Sequence, residues 1–118
     1  MSPWNRRIVL PNETVIMPEN VIGIIYSRIL STWCCNYDDE QCFIDTARFD
    51  NPTPYTDAHD VRIYERDRVK YTHGIEGIVK QLSTGEFIIA SSENSCWRYF
   101  SDWTVTGHLS YAEDNGNG

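Results

Sequence analysis

Asp57, His59 and Asp60 fall within four residues, flanked by Tyr55 and Tyr64. A histidine between carboxylates can move protons, because a carboxylate orients the ring and favours its charged form. Glu65 and Asp67 stand two apart, a spacing that on a strand puts both carboxyls on one face, as glycosidase or metal chemistry would need. Both sets lie among turn-forming residues, where the competing reading is a solvated turn. No glycine-rich phosphate loop, Gly-x-Ser-x-Gly elbow or His-Glu-x-x-His helix is present. No catalytic residue is assigned, and the expectation is a protein that is not an enzyme. Cys34 and Cys35 are adjacent, with Cys42 and Cys96 apart, which suits neither a zinc knuckle nor a Cys-x-x-Cys redox pair. His73 and His108 stand alone. The expectation is incidental thiols, no metal and no cofactor.

Binding chemistry is better represented. Between 38 and 60 lie Asp38, Asp39, Glu40, Asp45, Asp50, Asp57 and Asp60 against Arg48 alone, which accounts for six of the seven net negative charges. Such a segment is either a solvated loop or a surface that meets a basic partner. Trp97, Arg98, Tyr99, Phe100 and Trp103 form an aromatic cluster of the residue types that dominate binding hot spots. Alternation would put Trp97 and Tyr99 on one face and Phe100 on the other. Arg62, Arg66, Arg68 and Lys70 share one parity, so an unbroken strand would line them up as a basic ladder. With the aromatics, that ladder could bind single-stranded nucleic acid by stacking. The candidate partner-binding residues are Asp38, Asp39, Glu40, Asp45, Trp97, Arg98, Tyr99 and Trp103; the candidate nucleic-acid residues are Arg62, Arg66, Arg68 and Lys70.

The elements that must hold these side chains divide near residue 53. At 118 residues, 41% hydrophobic and 13% aromatic, the chain can bury a core. Its pI near 4.8 disfavours general phosphate-backbone binding. Segment 8–17 reads as two short extended pieces around Pro11-Asn12. In 21–33, Ile22, Ile25 and Ile29 recur at helical spacing, while the β-branched content and Gly23 favour a strand, and the two readings stay open. Either way the stretch suits core or subunit interface. Gln41-Cys42-Phe43-Ile44 is a strand candidate, and Asn51-Pro52-Thr53-Pro54 a turn or linker. Beyond it, short strands centred on 61–64, 68–71, 75–82, 86–90, 96–100 and 103–109 alternate with turns, and 91–95 is a polar loop. That spacing predicts a small barrel or sandwich. The overall class is mainly β (α+β overall): a short α/β segment over 1–53, a β-barrel over 54–113 and a flexible tail over 114–118.

Residues 54–113 resemble the YopX-like family of bacteriophage and prophage proteins. The likeness rests on Tyr55-Thr56-Asp57-Ala58-His59-Asp60-Val61-Arg62-Ile63-Tyr64-Glu65-Arg66-Asp67-Arg68-Val69-Lys70-Tyr71, then Gly77-Ile78-Val79, Gly85-Glu86-Phe87, and the closing run 105–113. Where the family carries a glycine before the aspartate, this chain has Arg66, and the family's usual N-terminal segment is absent. The resemblance implies a small SH3-like β-barrel domain that self-associates and has no established catalytic site. It points to a phage-type accessory protein that binds and modulates a host protein or nucleoprotein complex, by analogy a defence complex such as a CRISPR effector. A structural homo-oligomer and a single-strand-binding module are the alternatives. Only Ile8-Val9-Leu10 precedes Pro11, too short for a signal peptide, and no apolar run reaches the roughly 20 residues of a membrane span. The expected location is therefore the host-cell cytoplasm, with no membrane partner.

Overall fold

The computed structural model describes residues 4–91 and 95–116, the last three by backbone alone. It is mostly β-strand, in antiparallel sheets, and its contacts divide the chain into two units: Met1–Asn51 with Ser110–Gly118, and Pro52–Leu109.

In the first unit, Arg7–Val9 (β1) and Val15–Ile16 (β2) flank the Pro11-Asn12 turn, where the Asn12 side chain accepts the Thr14 N–H at 3.0 Å. Arg48–Asp50 (β6) pairs on the other side of β1. A second sheet is built from Val21–Ser27 (β3), Thr32–Tyr37 (β4) and Glu40–Phe43 (β5), with β4 central. Segment 21–33 is thus a hairpin and not a helix. Its β-branched residues lose side-chain freedom in a helix and pack well on a pleat. Ser27 Oγ accepts the Leu30 N–H at 3.2 Å and Ser31 adopts φ +52°, which turns the chain at 28–31. Ile8, Leu10, Ile16, Val21, Cys35 and Ile44 form the core of the unit.

Asp50 does not belong to a solvated acidic loop. It is fully buried, with Arg7 at 2.7 Å and Arg48 at 3.0 Å, both on its own sheet. A buried carboxylate needs such partners to keep its charge.

In the second unit, Pro52–Thr56 (β7) pairs with Arg62–Tyr64 (β8). The expected linker at 51–54 is therefore partly strand. Two prolines fit there because a two-stranded ribbon has free edges that need no N–H donor. Asp67–Tyr71 (β9), Glu76–Gln81 (β10), Phe87–Ser91 (β11), Cys96–Trp97 (β12) and Trp103–His108 (β13) form a five-stranded sheet in the order β12-β11-β10-β9-β13. Val69, Val79 and Ile89 alternate inward and meet Ile63, Phe100 and Trp103 in the core. Gly74 and Gly85 adopt φ +98° and +93° in the turns on either side of β10.

Tyr111–Gly116 (α1) replaces much of the expected tail and belongs to the first unit. Ser110 and Glu113 form a reciprocal capping box, with Glu113 N–H on Ser110 Oγ at 3.0 Å and Ser110 N–H on Glu113 Oε1 at 3.3 Å. Glu13 accepts the Tyr111 N–H at 2.6 Å. Residues 117–118 of the expected tail, and 92–94 of the expected 91–95 loop, lie outside the described residues.

Candidate functional site

The proton-transfer pattern is occupied by the backbone. Asp57 is buried; its Oδ1 accepts the N–H of His59 at 2.8 Å and of Val61 at 2.9 Å, and its Oδ2 that of Val105 at 3.0 Å. Burial pushes its carboxyl up, but these donors and the nearby His59 outweigh that, so it lies below the usual carboxylate range. A carboxylate held this way is a structural tie between the 57–61 turn and β13. Glu65 and Asp67 do not act as a pair either. Glu65 faces Arg66 at 3.3 Å, and buried Asp67 accepts the Tyr64 N–H at 2.8 Å. Glu65 lies in a two-residue turn with Arg66, and Asp67 opens β9 after it; Arg66 takes φ +69°, at the position where the resemblance expects glycine.

That turn breaks the basic ladder. Arg62 sits on β8, where its guanidinium donates to the Thr53 carbonyl at 2.7 Å, and Arg66 lies in the turn. Arg68 and Lys70 alone share a face of β9. With Ile78 and Lys80 of β10, Arg68 lines a shallow cleft of about 380 Å³ on the outer face of the five-stranded sheet. The aromatics lie elsewhere. Trp97 pairs with Ile89 on the inner face and stacks on Tyr71 with ring centroids 5.5 Å apart. Trp103 is fully buried, 5.2 Å from Tyr71, so it cannot be the docking residue the sequence suggested. Alternation stops when β12 ends at Trp97, so Trp97 and Tyr99 do not share a face: Trp97 packs on the core and Tyr99 projects into solvent. Phe100 turns inward and stacks on Tyr55 at 4.4 Å. Arg98 is exposed and ion-paired with Glu86. Stacking a base requires rings and cations on one accessible surface. Here the rings of Trp97 and Trp103 and the Arg68–Lys70 cations occupy opposite faces of one sheet.

The acidic segment separates likewise. Asp45 fastens the β3–β4 hairpin, accepting the Thr32 hydroxyl and the Trp33 N–H, which hold its carboxyl below the usual range. Asp38, Asp39 and Glu40 remain exposed where β4 turns into β5, with Asp38 at φ +49°. Three ladder positions away, the outer face of the same sheet carries an apolar stripe, the cross-strand row Ile25–Cys34–Phe43. Phe43 is 58% exposed and Ile25 48%, while Cys34 is buried between them. Leu10, Pro11, Gln41, Cys42 and Phe43 line a cleft of about 390 Å³ along β5. The stripe is a surface that the sequence reading missed. Its signal was the i, i+9, i+18 recurrence of apolar residues across three strands, which becomes readable only once the register is known.

Compared with protein-family models, curated proteins and solved structures, the chain matches none. Among the described residues, no cluster of three or more His, Cys, Asp or Glu side chains is arranged to hold a metal ion, and no helix is long and apolar enough to cross a membrane. Cys35 and Cys42 face each other across β4 and β5; burial, then the neighbouring Cys42, pushes the Cys35 thiol up to about 11.

Proposed function

We propose that the protein is a non-enzymatic binding module that docks on a basic protein or nucleoprotein surface through the β4–β5 hairpin. The observation that carries this reading is the exposed Asp38-Asp39-Glu40 turn lying on the same short sheet as exposed Phe43 and its cleft. Charge at the rim steers encounter, and a desolvated aromatic supplies the residence time. Tyr99, Arg98 and Tyr55 offer a second exposed aromatic patch on the other unit. A phage origin and a host defence complex as target follow from the YopX-like resemblance alone, and barrel closure of residues 54–113 from that resemblance together with the strand spacing.

The test begins with capture of a partner from host lysate and its identification by mass spectrometry. The combined Asp38→Asn, Asp39→Asn, Glu40→Gln variant then slows association about tenfold and flattens its salt dependence, with dissociation little changed. Phe43→Ala acts in the opposite sense, on dissociation. Unchanged association rates in the charge variant would overturn the reading. So would binding of labelled single-stranded DNA tighter than about micromolar at physiological salt, lost in Arg68→Ala with Lys70→Ala.

A further inference from the structure

The β3-β4-β5 sheet has two edges, and they are built differently. β5 is four residues long and begins at Glu40 beside the acidic turn, so shortness and charge guard it. β3 is seven residues long, reads Val-Ile-Gly-Ile-Ile-Tyr-Ser, and has neither charge nor proline. Its one irregularity is a bulge at its first residues, where Ile22 is extra. Among the described residues none pairs with its outer edge. An uncharged, unpaired strand of this length is a template for another strand.

The direction of its free groups follows from the ladder. Ile44 N–H donates to the Trp33 carbonyl at 3.1 Å, so the odd-numbered residues of β4 bond towards β5. Thr32, Cys34 and Asn36 therefore bond back to Ser27, Ile25 and Gly23. The N–H and C=O groups of Ile24 and Tyr26 face outward.

We propose that β3 pairs antiparallel with β3 of a second copy, around a two-fold axis at Ile24. Three observations select a copy of this chain over another strand. First, the register is self-complementary in hydrogen bonding: Ile24 meets its own counterpart with outward groups on both sides, and Tyr26 falls opposite the second copy's Ile22. Second, it is complementary in shape. Ile25 falls opposite the second copy's Gly23, whose Cβ position has nothing within 4 Å. Third, the edge strand itself carries exposed apolar side chains: Ile22 is 69% exposed, and Ile25 and Tyr26 are each about half exposed. The pairing leaves the β5 edge and the acidic turn free, so it is separate from the docking reading above.

Sedimentation of the full chain tests it, with wild type expected as a reversible dimer at about 10–100 µM. In the proposed register residue 22 of each copy faces residue 26 of the other. Ile22→Lys with Tyr26→Lys sets like charges opposite and weakens the dimer at least about 100-fold; Ile22→Lys with Tyr26→Glu sets opposite charges together and restores it to within about tenfold of wild type. Amide exchange on the wild-type protein supplies a readout independent of variant folding. Protection of the Ile24 and Tyr26 amides rises with protein concentration, whereas that of Ile25 and Ser27, bonded within the chain, does not. A wild type that stays monomeric, two charge variants that behave alike while both keep the native circular dichroism spectrum, or Ile24 and Tyr26 exchange that ignores concentration each overturns the proposal.

Discussion

Asp57 joins a turn and a strand 48 positions apart through three backbone donors, and its loss has a defined pH signature. Burial raises its carboxyl and the hydrogen bonds lower it further, so its folded pKa lies below the unfolded value near 3.8. A carboxyl shifted in that direction stabilises the fold above the unfolded pKa, and the contribution disappears as pH falls through the folded value. Asp57→Asn is expected to cost about 1–3 kcal/mol at pH 7, with the gap to wild type narrowing below about pH 3.8. Urea midpoints measured across pH 2–7 check this. The thiols differ as sharply. Cys96 is exposed, whereas Cys35 is buried with its thiol near 11. At pH 8 Cys96 should react with a soluble disulfide reagent at least about 100-fold faster than Cys35, which reacts only after unfolding, as peptide mapping of the labelled thiols will show.

At the level of single strands, the five-stranded sheet is tight where β10 meets β11. A Cβ on Gly77 would lie 2.5 Å from Cγ2 of Ile89 and 3.1 Å from the Ala90 carbonyl oxygen. Ile89 is fully buried and cannot swing away. Gly77→Ala is therefore expected to destabilise by about 1–3 kcal/mol, while Gly107→Ala on β13, with open space at its Cβ, stays within about 0.5 kcal/mol. Thermal unfolding of the two variants side by side measures the difference. Segment 21–33 shows how sequence periodicity misleads at this level. Ile22, Ile25 and Ile29 are spaced for a helix, yet Ile22 is a bulge residue, Ile25 lies on the outer sheet face and Ile29 sits in the hairpin tip. Three local environments coincided with one helical stripe.

Across the whole chain, the N-terminal unit is completed by residues from the other end of the sequence. Glu13 receives the amides of Tyr111 and Ala112 at 2.6 and 3.2 Å, the Tyr111 hydroxyl donates to the Thr46 carbonyl at 2.6 Å, and Arg48 donates to the Ser110 carbonyl at 3.1 Å. Deleting residues 110–118 removes all four. The expected loss is about 2–4 kcal/mol from the first unit, at the net worth of such bonds. Hydrogen exchange should accelerate by an order of magnitude or more in β1 and β6 and change little in β9–β11. Equal acceleration in both units would show that the segment supports something other than the unit it contacts.

Local chemistry in the chain was enough to place the strands at 62–64, 67–71, 76–81 and 87–91 and the turns at Pro11-Asn12, Gly74 and Gly85, because alternation and the backbone demands of proline and glycine act over a few residues. The same reasoning located the acidic segment and excluded familiar catalytic motifs. It could not sort that segment into its roles. Asp50 is paired with Arg7, 43 positions away, and Asp57 accepts the N–H of Val105, 48 away, so both are buried, while Asp38, Asp39 and Glu40 stay in water. Nor could it divide the basic ladder from the rings of Trp97 and Trp103, since one turn at Glu65-Arg66 and the end of β12 at Trp97 decide which face each side chain takes. Burial and facing depend on contacts between distant residues, and a one-residue change of register reverses every side chain on a strand. The Ile25–Cys34–Phe43 stripe and the open β3 edge exist only once three strands are aligned.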